Sequence, residues 1–169
     1  EVHGLLKALW AHLPNSDPTG EDNSGLSLDR AQVGIAGQIS KDTGFRLELE
    51  SAGGTAVVLD AYGTWEACQY ATVTFGQFRS PTVWESQLGD SDLLFILRTD
   101  NGELFYTRTR GAMVSGSLEK FHWAAAVQNG LDGLQEDVAL SARASLDLLG
   151  GGVGLSQGAY DGGRDARLS

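Results

Sequence analysis

Apolar and polar residues alternate along several long segments of this chain, and that alternation limits the possible folds more than any other feature. In the segment 28–40, Val33 and Ile35 fall on one side of an extended chain while Arg30 and Gln32 fall on the other. The same period of two recurs in the segments 44–50, 121–128 and 137–149. A period of two residues is that of a β-strand, whose side chains point to opposite faces in turn. The chain is therefore predicted to be an all-β protein.

The alternating segments are longer than the strands of an ordinary soluble sheet. Strands in soluble sheets are typically ~5–6 residues long, whereas a strand that crosses a bilayer at a tilt needs ~9–11 residues. The segments 28–40 and 137–149 are of the longer kind. The predicted fold class is therefore a transmembrane antiparallel β-barrel. A soluble sandwich remains the alternative, because its strands alternate in the same way when one face meets water.

The pattern predicts about nine strands, joined by connections of two kinds. The predicted strands are 2–13, 26–40, 44–51, 56–67, 70–79, 103–115, 119–128, 137–149 and 152–160. Connections such as 41–44 and 116–119 are short, whereas 14–25, 80–102 and 129–136 are long and polar. Short turns at one rim and long loops at the other are typical of outer-membrane barrels.

Composition argues against several other classes of protein. The chain carries a formal net charge of −10 at pH 7, so the phosphates of a nucleic acid would repel it. Its single cysteine, Cys68, excludes an intramolecular disulfide and a zinc site built from thiolates. No segment approaches the ~18 consecutive apolar residues of a transmembrane helix.

No motif in the sequence indicates an enzyme or a bound cofactor. The chain has no G-x-S-x-G elbow, no phosphate-binding P-loop and no H-E-x-x-H zinc motif. The acidic segment 17–25 contains Asp17, Glu21 and Asp22, but their spacing does not fit an EF-hand. No metal site, no cofactor and no catalytic residue is therefore predicted.

Several segments occur in a familiar order along the chain. They are LSLDRAQVGIAGQISKDTGFRLELE, LDAYGTWE, ATVTFGQFRSP, DLLFILRTDNGELFY and FHWAAAVQNG, at 26–50, 59–66, 71–81, 92–106 and 121–130. The most specific of these motifs is GQFRSP, at 76–81. Together they resemble the phosphate-selective porin family, of the porin O and P type.

That resemblance implies a trimeric, water-filled barrel of about 16 strands in the bacterial outer membrane. In such porins the loop after the fifth strand folds into the lumen and narrows it, which here is the segment 80–102. Trp84 is expected to anchor that loop. The implied partners are membrane lipid, further copies of the chain and small solutes such as anions. The basic residues implied to draw anions through the constriction are Arg79, Arg98, Arg108 and Arg110.

Alternation separates these four arginines. Arg79 shares a face with Val73 and Phe75, so it is predicted to be a rim residue whose long stem lets the guanidinium reach lipid headgroups. Arg108 and Arg110 are predicted to face the lumen together, because an arginine that faces lipid at mid-depth costs ~2–4 kcal/mol.

The predicted function is passive diffusion of small hydrophilic or ionic solutes. The 12 basic residues against 22 acidic ones predict weak rather than strict phosphate selectivity. About nine strands cannot close a barrel of this kind, so residues 1–169 are expected to be the N-terminal part of a larger single domain. An intact smaller barrel is the alternative. The alternative functions are a scaffolding barrel in a larger outer-membrane assembly and a soluble carbohydrate-binding module that uses Trp65, Trp84 or Trp123.

Overall fold

The protein is described from a computed structural model, which describes residues 1–13, 23–94, 98–100, 108–130 and 137–148. These residues form one antiparallel sheet. Its strands are β1 Val2–Leu13, β2 Asn23–Ser40, β3 Thr43–Glu50, β4 Val57–Cys68, β5 Ala71–Arg79, β6 Arg108–Leu118, β7 Phe121–Asn129 and β8 Val138–Leu146. Between β5 and β6 lie a four-residue helix, α1 Trp84–Gln87, and a 3-10 turn, Asp90–Asp92. No helix in the described ranges is long and apolar enough to cross a bilayer.

Each strand pairs with the next along the chain, in the order β1-β2-β3-β4-β5-β6-β7-β8. This order follows from the tight turns between strands, such as the one at Glu119, whose φ of 53° is the left-handed conformation that two-residue hairpin turns require. Within the described residues β1 and β8 are not paired with each other, so the sheet is open there.

The predicted strands agree with the observed ones except near the loops. β1 has the predicted bounds, 2–13, whereas β6, described from Arg108, ends at Leu118 instead of at the predicted residue 115. The predicted residues 103–107 of that strand lie outside the described residues. β6 continues further because the turn lies at Glu119 and Lys120 rather than across 116–119. The predicted strand 152–160 lies outside the described residues, and so do Asp17, Glu21 and Asp22 of the acidic segment 17–25.

Burial in this sheet is the reverse of burial in a soluble protein. Large apolar side chains are exposed, among them Leu6 at 75%, Phe75 at 73% and Leu140 at 82%. Charged side chains are buried, among them Glu48 at 3% and Asp60 at 6% exposure. In a soluble protein apolar residues are inside and unpaired charged residues are almost never fully buried. One side of the sheet is therefore built for an apolar surrounding.

The two sides are called the apolar face and the polar face below. The apolar face includes Val33, Ile35, Phe45, Leu47, Phe75, Val114, Val127 and Leu140, all exposed. The polar face includes Arg30, Gln32, Arg46, Glu48, Tyr62, Thr74, Ser115, Ala124, Gln128 and Arg143, which are buried or half-buried. The alternation predicted for β2, β3, β7 and β8 is confirmed, because it assigned these residues to the same two sides.

Candidate functional site: the polar face and its covering loop

The described part of the segment between β5 and β6 folds back over the polar face. Leu88, in its described part, is fully buried at 0% exposure. Asp90 Oδ2 accepts hydrogen bonds from Arg30 Nε at 3.2 Å and Gln32 Nε2 at 3.5 Å. Because these partners belong to the polar face of β2, the loop crosses that face from β5. Trp84 is only half-buried, so Leu88 rather than the predicted Trp84 is the packing anchor of the loop.

Arg98 holds the loop together from within. Its side chain is 2% exposed, and its Nη2 donates to Asp90 Oδ1 at 2.7 Å and to the carbonyl of Leu88 at 2.8 Å. Its Nη1 donates to the carbonyl of Glu85 at 2.7 Å. Arg98 was predicted to attract solute anions, but the structure places its guanidinium inside the loop.

Asp90 is the carboxylate that joins the loop to the sheet. Burial alone would raise the pKa of Asp90, but the hydrogen bond from Arg98 and the charges of Arg98 and Arg30 hold that pKa below its ordinary value. Asp90 is therefore ionised at neutral pH, and it bridges one arginine of the loop and one of β2. We call Arg30, Asp90 and Arg98 the loop latch.

Arg79 also holds the loop. Its Nη1 donates to the carbonyl of Leu88 at 2.6 Å and to that of Gln87 at 3.3 Å. These carbonyls follow or end α1, which has no basic residue in its last turn, and the carbonyl end of a helix attracts cations. The structure thus corrects the prediction that Arg79 reaches toward lipid headgroups. The chain turns back at Ser80 and Pro81, which brings the carbonyls within reach of the long side chain.

Arg108 lies on the polar face. Its side chain is 6% exposed. Its Nε donates to Asp60 Oδ1 at 2.8 Å, and its Nη2 lies 3.9 Å from Glu48 Oε1. Both carboxylates are themselves buried, so this arginine is held in place by ion pairs on the sheet.

Arg110 does not lie on the polar face with Arg108. Arg110 is exposed and pairs with Gln77, next to the pair formed by Ala112 and Phe75 on the apolar face. The structure therefore corrects the prediction that both arginines face the lumen. Arg108 is the first residue of β6, where its side chain can turn toward the carboxylates, whereas Arg110 is fixed by the alternation of the strand.

The partners of Arg108 belong to a charge cluster formed by His3, Arg46, Glu48, Asp60 and Arg108. Arg46 Nη2 donates to Glu48 Oε2 at 2.5 Å and its Nε lies 3.6 Å from Asp60 Oδ2. His3 Nε2 lies 3.4 Å from Glu48 Oε2. Each carboxylate in the cluster therefore contacts more than one basic group.

The cross-strand register places the two carboxylates of the cluster side by side. Leu47 lies opposite Ala61, so Glu48 and Asp60, the next residues of β3 and β4, are neighbours on the polar face. A β-bulge follows, because the register passes to Leu49 opposite Val58 and leaves two residues of β4 opposite the single residue Glu48.

Sequence reasoning missed the carboxylates of the site. Alternation placed Arg46 and Glu48 on the polar side of β3, and the same rule puts Asp60 on the side of Tyr62 in β4. That Asp60 meets Glu48 depends on the cross-strand register, and the position of Asp90 depends on the path of the loop. Neither the register nor the loop path leaves a period or a motif in the sequence.

Both signs of charge are therefore present across the polar face. Between β1 and β2, Lys7 Nζ lies 3.1 Å from Asp29 Oδ2. A basic group is paired with a carboxylate there, as in the charge cluster and the latch. Arg30 and Arg46 remain partly exposed, at 29% and 34% of their side chains, so ions or polar solutes can reach them. No group of three or more His, Cys, Asp or Glu in the described ranges is arranged to hold a metal ion.

The family of the chain follows from its sequence as well as its sheet. The family model described as phosphate-selective porin O and P matches residues 10–146, more than half of the 169 residues. No curated protein matches the chain significantly. The matched span contains β2 to β8 and the covering loop, and an antiparallel sheet with one apolar and one polar face is consistent with a porin wall. The chain belongs to the phosphate-selective porin O and P family.

Proposed function

We propose that this chain forms part of the wall of a water-filled channel in the outer membrane. Small hydrophilic and ionic solutes, anions such as phosphate included, would diffuse through it passively. The observation that carries this proposal is the reversed burial of the sheet, with Phe75 exposed at 73% and Glu48 buried at 3%. Such a sheet suits a wall that has lipid on one side and an aqueous lumen on the other.

The open sheet must be completed for this function. Unpaired backbone groups at the outer edges of β1 and β8 would cost several kcal/mol each in lipid. We therefore take the eight strands as part of a closed barrel of about 16, a size that leaves an aqueous channel, assembled as a homotrimer. The segment 80–102 would narrow its lumen, since Asp90 already contacts Arg30 and Gln32 across the polar face.

The paired charges of the polar face favour weak selectivity. Arg98 and Arg108 are 2% and 6% exposed and are paired with carboxylates. Their fields are largely cancelled at a distance, so a passing anion meets a mixed surface rather than a row of bare arginines. Both anions and cations are therefore expected to pass.

The test is conduction across a planar bilayer. The purified protein is expected to give discrete current steps with a linear dependence on voltage at low voltage. Reversal potentials in a salt gradient are expected to show only a small preference between potassium and chloride. Absence of current from the native protein would contradict the proposal.

A scaffolding barrel with a closed lumen is the second candidate, because the loop is seated by a fully buried Leu88. Deletion of residues 82–99 distinguishes the two candidates. If the loop narrows an open channel, the native protein conducts and the deletion raises the current. If the loop closes the lumen, only the deletion variant conducts.

A further inference from the structure

A recess on the polar face of β5 to β8 lies apart from the charge cluster and the latch. Thr72, Ser115, Ala124 and Arg143 form one row across these four strands, each opposite the next. Three of the four side chains are small, so beside the long Arg143 they leave a cavity of about 350 Å³. Gln87 of the covering loop also lines the cavity, so the recess lies beneath the loop.

The recess contains a charged hydrogen-bonding group that the described residues leave unused. Arg143 lines the recess, and its Nη1 is buried and has no hydrogen-bond partner among the described residues. Buried polar groups in folded proteins almost always have partners, and a guanidinium without an acceptor is costly. A ligand with acceptor oxygens would satisfy this group.

The charge of the recess limits which ligand fits. Besides Arg143, the ionisable lining side chains in the described part are Tyr70 and His122, and His122 Nε2 lies 2.9 Å from Asp147 Oδ2. Arg143 therefore supplies the positive charge of the recess, while Asp147 is in contact with His122. A single positive charge suits an anion with a single charge, whereas a doubly charged phosphate would leave one charge uncompensated. The flat, forked guanidinium also matches a carboxylate through two parallel hydrogen bonds.

We propose that Arg143, together with the hydroxyl groups of Thr72 and Ser115, forms a binding subsite for the carboxylate of a small, singly charged solute. The subsite rests on the proposed channel for the route by which a solute arrives. Binding itself needs no conduction, so the two proposals are tested separately.

The test is a titration of the full chain in detergent with trifluoroacetate, followed through the line width of its ¹⁹F NMR signal. The native protein is expected to broaden the signal in a saturable way, and acetate is expected to displace the probe at lower concentration than phosphate. The variant Arg143→Gln should weaken binding about tenfold, as expected for the loss of a hydrogen bond to a charged group. Ala124→Leu, which fills the recess and keeps its charge, should weaken binding as well.

The matched control is Arg110→Gln, which removes the same charge from the apolar face and should bind like the native protein. Equal binding by the native protein and Arg143→Gln would overturn the subsite, and so would stronger displacement by phosphate than by acetate. Because Ala124→Leu retains Arg143, it tests the recess even if Arg143→Gln folds poorly. Binding without bilayer current would refute the channel and keep the subsite. If the protein conducts in the bilayer but its binding of the probe does not depend on Arg143, the subsite is refuted and the channel is kept.

Discussion

The substitution Asp90→Asn is expected to free the loop from the polar face and raise the conductance of the channel. Asp90 and Arg98 are 3% and 2% exposed, and Asp90 also contacts Arg30. Removing one partner of a buried ion pair leaves the other charge uncompensated, which typically costs ~3–5 kcal/mol. An amide keeps the shape of the side chain but cannot neutralise two arginines. In the Asp90→Asn variant the loop should therefore leave the polar face in most molecules.

Single-channel recording and limited proteolysis measure this release. Asp90→Asn should give larger and noisier current steps and new cleavage within residues 80–102, with an unchanged β-sheet signal in circular dichroism. Asp92→Asn is the matched control, since Asp92 lies in the same 3-10 turn and makes no ion pair within the described residues. If both variants conduct like the native protein, the latch does not hold the loop.

Acid should release the same loop in the native protein. Because the pKa of Asp90 is held below its ordinary value, protons bind it less readily when the loop is seated than when it is released. The ion pairs of Asp90 therefore stabilise the loop on the polar face fully above the ordinary aspartate pKa of ~3.9. This stabilisation is lost as pH falls through the lowered pKa. Single-channel current recorded at stepwise lower pH should rise in that range. Asp90→Asn should lack this step, and an identical acid response in the variant would assign it to other carboxylates.

The substitution Arg108→Met is expected to destabilise the sheet strongly. Arg108 and Asp60 are 6% and 8% exposed, 2.8 Å apart, and Arg46 Nε is a more distant second partner of Asp60 at 3.6 Å. Loss of the arginine leaves the buried carboxylate with only that weaker contact, at a typical cost of ~3–5 kcal/mol. The double variant Arg108→Met with Asp60→Asn should recover most of the loss, since it removes both charges.

Urea unfolding of the protein in lipid vesicles measures these differences. Arg110→Met is the matched control, because it makes the same exchange two residues further along β6 on the apolar face. Arg110→Met should be neutral or stabilising, since an exposed charge toward lipid is unfavourable. Equal loss of stability in Arg108→Met and Arg110→Met would show that the ion pair with Asp60 contributes little.

Much of the fold was accessible from sequence because alternation is a local property. The side chains of an extended chain point to opposite faces whatever lies around it, so Val33 and Ile35 could be separated from Arg30 and Gln32 without any knowledge of the partner strands. The strand count placed a long loop after the fifth strand, and the family resemblance added the expectation that this loop folds inward. The first residue of β6 shows the limit of this reasoning, since alternation alone would place Arg108 with Arg110.

The sequence by itself determined the all-β pattern, the two faces of each strand and the family to which the chain belongs. Only the tertiary structure decided which arginines meet a carboxylate and which meet the loop. Arg98 pairs with Asp90, and Arg108 pairs with Asp60 across a separation of 48 residues. The physical reason is that an ion pair depends on cross-strand register and on the path of the loop across several strands. These are set by contacts between distant parts of the chain, which leave no period in the sequence.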